Sequence, residues 1–450
     1  MTIFNRNLRT RSKRTSHFAL AIALATGTAV AAVGVAEPAY AQKKKKQAQA
    51  EYSKEYVAAF QPVQEAMSAE GDLAALKPQI EGLIAMASTP DEKLTAGQVA
   101  VNAGSKLNDA DLQLAGLASM LESGKTAAED VGKYNFFAYQ LANQKSQFDR
   151  ARTYLQGAID ANYTFTGQLS DGSTKNFTTD DLRLMMFESY ISENQIQPGF
   201  DYLNGVIAER QAAGQQVSDT WIRRGLSVAI NNSLNSEMDR YATLYVTEYP
   251  GEASWRDAVA TIYNRGGLQP DAVLDLLRLA RRTDALQNAL MYGEYIDSAD
   301  PRKLPQEVVT LIDEAYASGM VDRSDGYMKD ARELAAGRVQ MDKNDLPSLE
   351  RDARAGSASL RTVVAAADTF LSYGQYAKAE EFYQKALGMP GADTPMVLTR
   401  LGIAQTELGK HDEAQETFTK VQGARQAVAR LWAAYASEQA PATTAAVTGG

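Results

Sequence analysis

The chain has 450 residues, with 46 lysines and arginines against 55 aspartates and glutamates, a net charge of −9, two histidines and no cysteine. Without cysteine there is no disulfide, thiolate metal site or cysteine-linked lipid, so the fold must hold by packing alone. An acidic body offers no basic face to a phosphate backbone, which argues against a nucleic-acid footprint.

The first 41 residues read as a secretory signal. Arg6, Arg9, Arg11, Lys13 and Arg14 form a basic start, Phe18 to Ala36 is apolar, and Ala39-Tyr40-Ala41 offers small residues for cleavage, leaving Gln42 first. A retained anchor is the alternative, because the apolar run is 19 residues long and a span needs roughly 20. Its Ala, Gly and Thr content favours cleavage. Residues 1–41 carry five basic and one acidic residue, so the mature chain has 41 basic against 54 acidic residues, a net charge of −13. These features predict an exported, periplasmic protein. Lys43, Lys44, Lys45 and Lys46 open residues 42–50, a solvated leader by composition; contact with anionic lipid or cell-wall polymer is its alternative role.

From Glu51 to Glu438 the pattern predicts short helices of about 12 to 18 residues separated by Gly, Pro, Asn or Asp. Residues 51–161 are expected to form N-terminal helical repeats and 179–358 degenerate repeats, with new helices opening near Thr283, Arg323 and Asp345, among others. Residues 359–423 are expected to hold two clear repeats, 424–438 a capping helix carrying Val428, Leu431, Trp432 and Tyr435, and 439–450 a structureless tail. Between these, 162–178 alternates apolar and polar residues around Asp171-Gly172 and predicts a β-hairpin. It either projects to a partner through Tyr163, Phe165 and Phe177 or pads a bend.

Val363–Leu387 and Leu398–Gln422 repeat one pattern at an offset of 35 residues. Val363, Ala366, Ala367 and Phe370 share a helix face, Gly374 ends that helix, and Ala379, Tyr383 and Ala386 line the next. Leu398, Leu401, Gly402, Gly409, Ala414, Phe418 and Val421 repeat the arrangement. A fainter copy runs from Tyr134 to Ile159 through Phe148, Ala151, Leu155 and Ala158. Small residues at Ala379 and Ala414 let paired helices approach, and the aromatics fill the gap. The period resembles that of the tetratricopeptide repeat. Tyr373-Gly-Gln-Tyr-Ala-Lys-Ala-Glu-Glu-Phe-Tyr-Gln-Lys-Ala-Leu387 is similar to that family's turn and second helix, and Leu401-Gly402 to its first-helix pair. Val363 and Ala366-Ala367 depart from the family's residues, as does Gln405.

The expected fold is therefore all-α, a solenoid of about ten stacked helix hairpins with one β-hairpin insertion. The resemblance implies a groove lined by first helices and a scaffold or adaptor that binds a partner protein in envelope assembly or secretion. By alignment the groove residues are Arg361, Val364, Asp368 and Leu371 in one unit, and Met396, Thr399, Ile403 and Thr406 in the next. Their mixed apolar character suits a hydrophobic or helical segment.

Little points to catalysis. His411 is the only imidazole of the mature chain and stands where Tyr376 stands in the preceding unit, so turn packing is its expected role, and no metal or cofactor is expected. Glu188-Ser189 is similar to the acid and serine of lytic transglycosylases, which makes a glycan-cleaving enzyme the alternative, but the motif that should follow is missing. Gly124-Lys125-Thr126 lacks a phosphate loop's first glycine, Arg265-Gly266-Gly267 reads as a helix C-cap, and Arg281-Arg282 and Asp180-Asp181 as solvated faces and caps.

Overall fold

The computed structural model describes residues 50–69, 72–169 and 171–441. The expected signal, the lysine run and most of the expected tail lie outside them. The expected all-α solenoid with one β-hairpin is the fold observed, in two compact units that divide between Ala213 and Gly214. No described helix is long and apolar enough to cross a membrane.

The N-terminal unit contains α1 (Lys54–Ser68), α2 (Leu73–Met86), α3 (Pro90–Leu107), α4 (Ala110–Glu122), α5 (Ala128–Gln144), α6 (Phe148–Asp160), α7 (Thr179–Ser192) and α8 (Ile196–Ala212). Each helix packs on the next. Capping explains where several begin: Thr89 and Glu92 form a capping box on α3, with Pro90 in the first turn, and Asp109 caps α4. Glu92 is fully buried and does more than cap, because it also accepts from the Ser53 amide and hydroxyl and the Ser88 amide and hydroxyl. It thereby ties α1 to α3.

The hairpin forms as expected, with β1 (Phe165–Gln168) antiparallel to β2 (Thr174–Phe177) and Phe165 opposite Phe177. It does not project its aromatics. Phe165 stacks on Phe177 and lies 4.6 Å, centroid to centroid, from Phe136 of α5, and Tyr163 joins the same cluster. Phe177 is buried, so these rings serve the core.

The C-terminal unit contains α9 (Asp219–Asn231), α10 (Asn235–Glu248), α11 (Glu252–Asn264), α12 (Pro270–Arg282), α13 (Ala289–Ala299), α14 (Pro305–Ala317), α15 (Gly326–Arg354), α16 (Leu360–Ser372), α17 (Tyr376–Leu387), α18 (Thr394–Glu407), α19 (His411–Thr419) and α20 (Gln426–Gln439), with a 3-10 turn at Gly423–Arg425. Two expected helix starts are corrected. Thr283 caps the end of α12, and α13 opens at Ala289 behind the Asn288 cap. No helix opens at Asp345: α15 runs 29 residues through Pro347, with no buried side chain between Ala335 and Ala353.

One turn recurs in both units. At Ser146, Asn194, Ser233, Gly374 and Gly409 the backbone enters the left-handed region, with φ of 56°, 60°, 55°, 70° and 74°. The following residue then donates its amide to the carbonyl five positions earlier: Gln147 to Ala142, Gln195 to Tyr190, Leu234 to Ala229, Gln375 to Phe370 and Lys410 to Gln405, all at 2.8–2.9 Å. This is the Schellman closure of a helix end. Four positions after that residue stand Ala151, Gly199, Met238, Ala379 and Ala414. The repeat thus extends through α7–α10, where residue identity had faded. Gly402 shows why a glycine sits on a first helix: a methyl there would come within 2.5 Å of the Phe418 ring.

The C-terminal helix departs from the expected end cap. Besides α19, α20 packs against α10, α11, α12 and α18. The Trp432 indole donates to the Asp275 carbonyl at 2.8 Å, and Trp255 donates to Glu438 at 3.0 Å. The unit therefore closes on itself. Its centre is α12, buried from Ala272 to Ala280, where the Asp275 carboxylate meets Arg278 of its own helix, Arg400 of α18 and Arg425 of the 3-10 turn.

Candidate functional site

Closure decides what happens to the expected groove. Helix α18 is buried from Val397 to Thr406, because α12 and α20 cover the face that an open array would leave free. Arg361 is exposed, and Val364 and Met396 are half-buried. Asp368 is engaged by Arg400 at 2.8 and 2.9 Å and by the Tyr383 hydroxyl at 2.6 Å. Thr399 is fully buried, with its hydroxyl on the Pro395 carbonyl. Thr406 donates to the Gly402 carbonyl and borders a small cavity of about 270 Å³ shared with His411 and Tyr435. The eight residues therefore do not form one open groove. Leu371 and Ile403 do come together, on the wall of a larger cavity of about 780 Å³ inside the C-terminal unit.

That cavity is more polar than the expected groove. Helix α12 delivers Arg278, Arg281 and Arg282 to it, α14 delivers Glu307, α15 delivers Lys343 and Leu346, and the α16–α17 turn delivers Tyr373 and Tyr376. Arg281-Arg282, expected on a solvated face, border this cavity, with Arg282 exposed and Arg281 partly buried. Their position at the last turn of a helix whose other faces are covered places them there.

Most of these charges are held by partners. Arg278 forms a two-pronged pair with Glu307 at 2.8 and 2.7 Å, and the Tyr295 hydroxyl also donates to Glu307 at 2.8 Å. Arg281 pairs with Glu314 through two bonds, at 2.7 and 2.5 Å. Arg282 pairs with Glu407 at 2.7 and 2.7 Å and donates to the Tyr376 hydroxyl at 3.1 Å. Burial alone would raise the Glu307 carboxyl, but the Arg278 guanidinium outweighs it and holds Glu307 below the usual carboxylate range. Burial likewise opposes the charge on Arg281 and Arg282, and their carboxylates more than restore it. Lys343 is exposed and makes no ion pair among the described residues. The Tyr373 hydroxyl is buried without a hydrogen-bond partner, and burial pushes its pKa up to about 12, with Asp342 adding to the shift.

Such a wall holds permanent charge rather than a tuned acid and base. Its carboxylate at Glu307 stays ionised, and its guanidinium groups present planar forks suited to carboxylate or phosphate. Glu188 lies elsewhere, half-buried on α7 of the N-terminal unit and on the wall of neither cavity. Its neighbour Ser189 is buried and accepts from Arg152. Among the described residues no group of three or more His, Asp or Glu side chains is arranged to hold a metal.

No protein-family model matches the chain, and no curated protein matches it.

Proposed function

We propose that the protein is an exported scaffold or adaptor, similar to tetratricopeptide-repeat proteins, that holds a segment of a partner protein in the cavity of its C-terminal unit. One observation carries this reading: Leu371 and Ile403, aligned with the groove positions of that family, both line one cavity, together with residues of α12, α14, α15 and α17. Its volume of about 780 Å³ lies within the range of binding pockets, roughly 300–1,000 Å³. Exposed Lys343 and partly exposed Arg282 on its wall give access from solvent. The basic start, apolar run and Ala39-Tyr40-Ala41 support export, and envelope assembly or secretion is the setting that suits an exported adaptor.

Because the chain lacks cysteine, a single introduced thiol can be labelled uniquely. A benzophenone on Gln306→Cys, in the cavity wall, is expected to crosslink one partner in an envelope extract. The same label on Glu416→Cys, exposed on α19 and away from the wall, is expected not to do so. Equal capture from both positions, or none from Gln306→Cys, overturns the proposal.

A further inference from the structure

We infer that the protein pairs with a second copy of itself through the exposed flank of α15, the two helices running antiparallel about a two-fold axis at Leu334. The inference is independent of the cavity reading, because Lys343 and Leu346, the α15 residues that border the cavity, lie by helical periodicity on a different face from Leu334. Tyr327, Leu334 and Met341 recur every seven residues along α15, and all three are exposed. Single exposed apolar residues are ordinary on a protein surface. Three at heptad spacing form a strip down one side of a helix, the pattern by which helices pair. Leu290 of α13, at 64% the most exposed large apolar residue among those described, extends the strip sideways. It stands one turn before Gly293, beside which the Tyr327 ring lies with its hydroxyl on Asp297 at 2.6 Å.

The charges beside the strip select a second copy as its occupant. Asp330 and Arg338 stand four residues before and four after Leu334, and neither forms an ion pair or a side-chain hydrogen bond among the described residues. The Arg338 Nε is buried without a partner. Asp342, one turn on, feels the Arg338 charge but does not pair with it. A two-fold interface sets residue i against j and j against i. With Leu334 on the axis, Asp330 of each copy meets Arg338 of the other, and Tyr327 of each meets Met341 of the other, an aromatic ring on a thioether.

From Asp325 to Lys343 this register sets no like charges opposite one another. A parallel pair in register sets Asp330 on Asp330 and Arg338 on Arg338, so the charges favour the antiparallel arrangement. The strip from Tyr327 to Met341 is about 21 Å long. An interface of that size suits a reversible dimer with a dissociation constant of roughly 10 to 100 µM rather than a permanent one.

The test is sedimentation velocity of the mature full chain, whose average mass is expected to rise from one chain toward two between about 5 and 500 µM. Leu334→Glu, at an exposed position, is expected to stay monomeric throughout with unchanged circular dichroism. Asp330→Arg and Arg338→Asp are each expected to weaken pairing about tenfold, because each sets like charges opposite one another. An equimolar mixture of these two variants is expected to pair again, since each supplies the charge that the other lacks. A wild-type chain that stays monomeric, a dimer indifferent to Leu334→Glu, or a mixture that pairs no better than either variant alone overturns the inference. Monomeric protein that binds phosphatidylglycerol vesicles and loses them in Leu334→Glu also overturns it, and gives the strip to a lipid surface. Capture by Gln306→Cys is expected to persist in the Leu334→Glu background, so the pair and the cavity fail separately.

Discussion

The two units share helix pairs and a common turn, yet they are held together at different ranges of sequence. In the N-terminal unit each helix rests mainly on its neighbours, and its buried polar ties, Glu92 to Ser53 and Arg152 to Ser189, span 39 and 37 residues. In the C-terminal unit the bonds of Arg400, Arg425 and Trp432 to Asp275 span 125, 150 and 157 residues. The first unit behaves as a stack, whose stability is a sum of local interfaces. The second is a closed body whose centre depends on chain segments far apart, so damage there is expected to propagate through the whole unit.

The largest break in this comparison is Asp275→Ala. It leaves Arg278, Arg400 and Arg425 buried without their shared carboxylate, although Glu307, Asp368 and Asp271 remain beside them, one to each. Removing one partner of such a network costs about 3–5 kcal/mol. In urea unfolding followed by hydrogen exchange, protection should fall across α10–α12 and α18–α20 while α1–α8 keep theirs. Loss of protection in both units alike would show that they do not unfold separately.

Trp432→Ala follows at about 3–5 kcal/mol, because it empties a fully buried site stacked on Phe418. Trp432→Phe keeps most of the packing and loses the bond to the Asp275 carbonyl, so it should cost roughly 1–2 kcal/mol. A chevron or urea midpoint series separates the two substitutions.

Glu92 sharpens the comparison from the N-terminal side. Burial would raise its carboxyl, but hydrogen bonds from Ser53, Ser88 and Thr89 outweigh burial and hold it at about 2 instead of 4.5. Its folded pKa lies below its unfolded value, so its contribution is fully present above about pH 4.5 and is lost as pH falls toward 2. Glu92→Gln should lower the stability of the N-terminal unit by on the order of 2 kcal/mol at neutral pH and flatten this acid dependence. The measurement is α1–α3 exchange protection between pH 3 and 6, and an unchanged slope in the variant would remove Glu92 as its source.

The smallest effects come from glycines. Gly402→Ala drives a methyl against the Phe418 ring and should cost about 1–3 kcal/mol. Gly205→Ala, inside α8 with open space around it, should instead stabilise by about 0.5–1 kcal/mol. Paired melting curves with opposite signs are the expected result.

Much of the fold was legible because it is local. Capping residues such as Thr89, Asp109 and Ser359, glycines such as Gly374 and Gly409, and apolar spacing marked most helices and the hairpin. The turn at Ser146, Asn194 and Ser233 was harder to see, because the residues entering the left-handed region there are not glycine and the spacing between pairs is uneven. The long α15 was misread because Pro347 signals a break, yet no neighbour enforces one where that helix lies largely unpacked.

The candidate site was less legible, for a physical reason. Leu371 and Ile403 were found by repeat alignment, which reports the face of a helix. Arg281, Arg282 and Lys343 were missed, because a charged residue on an exposed helix face and one on a cavity wall have the same sequence pattern. Sequence alone set most of the helices, their caps and the hairpin, since these depend on residues within a few turns of one another. Only tertiary structure decided that α20 returns to α12 and covers α18. That closure depends on Asp275 meeting two arginines more than a hundred residues away, and it converts the face of a repeat into the wall of a charged cavity.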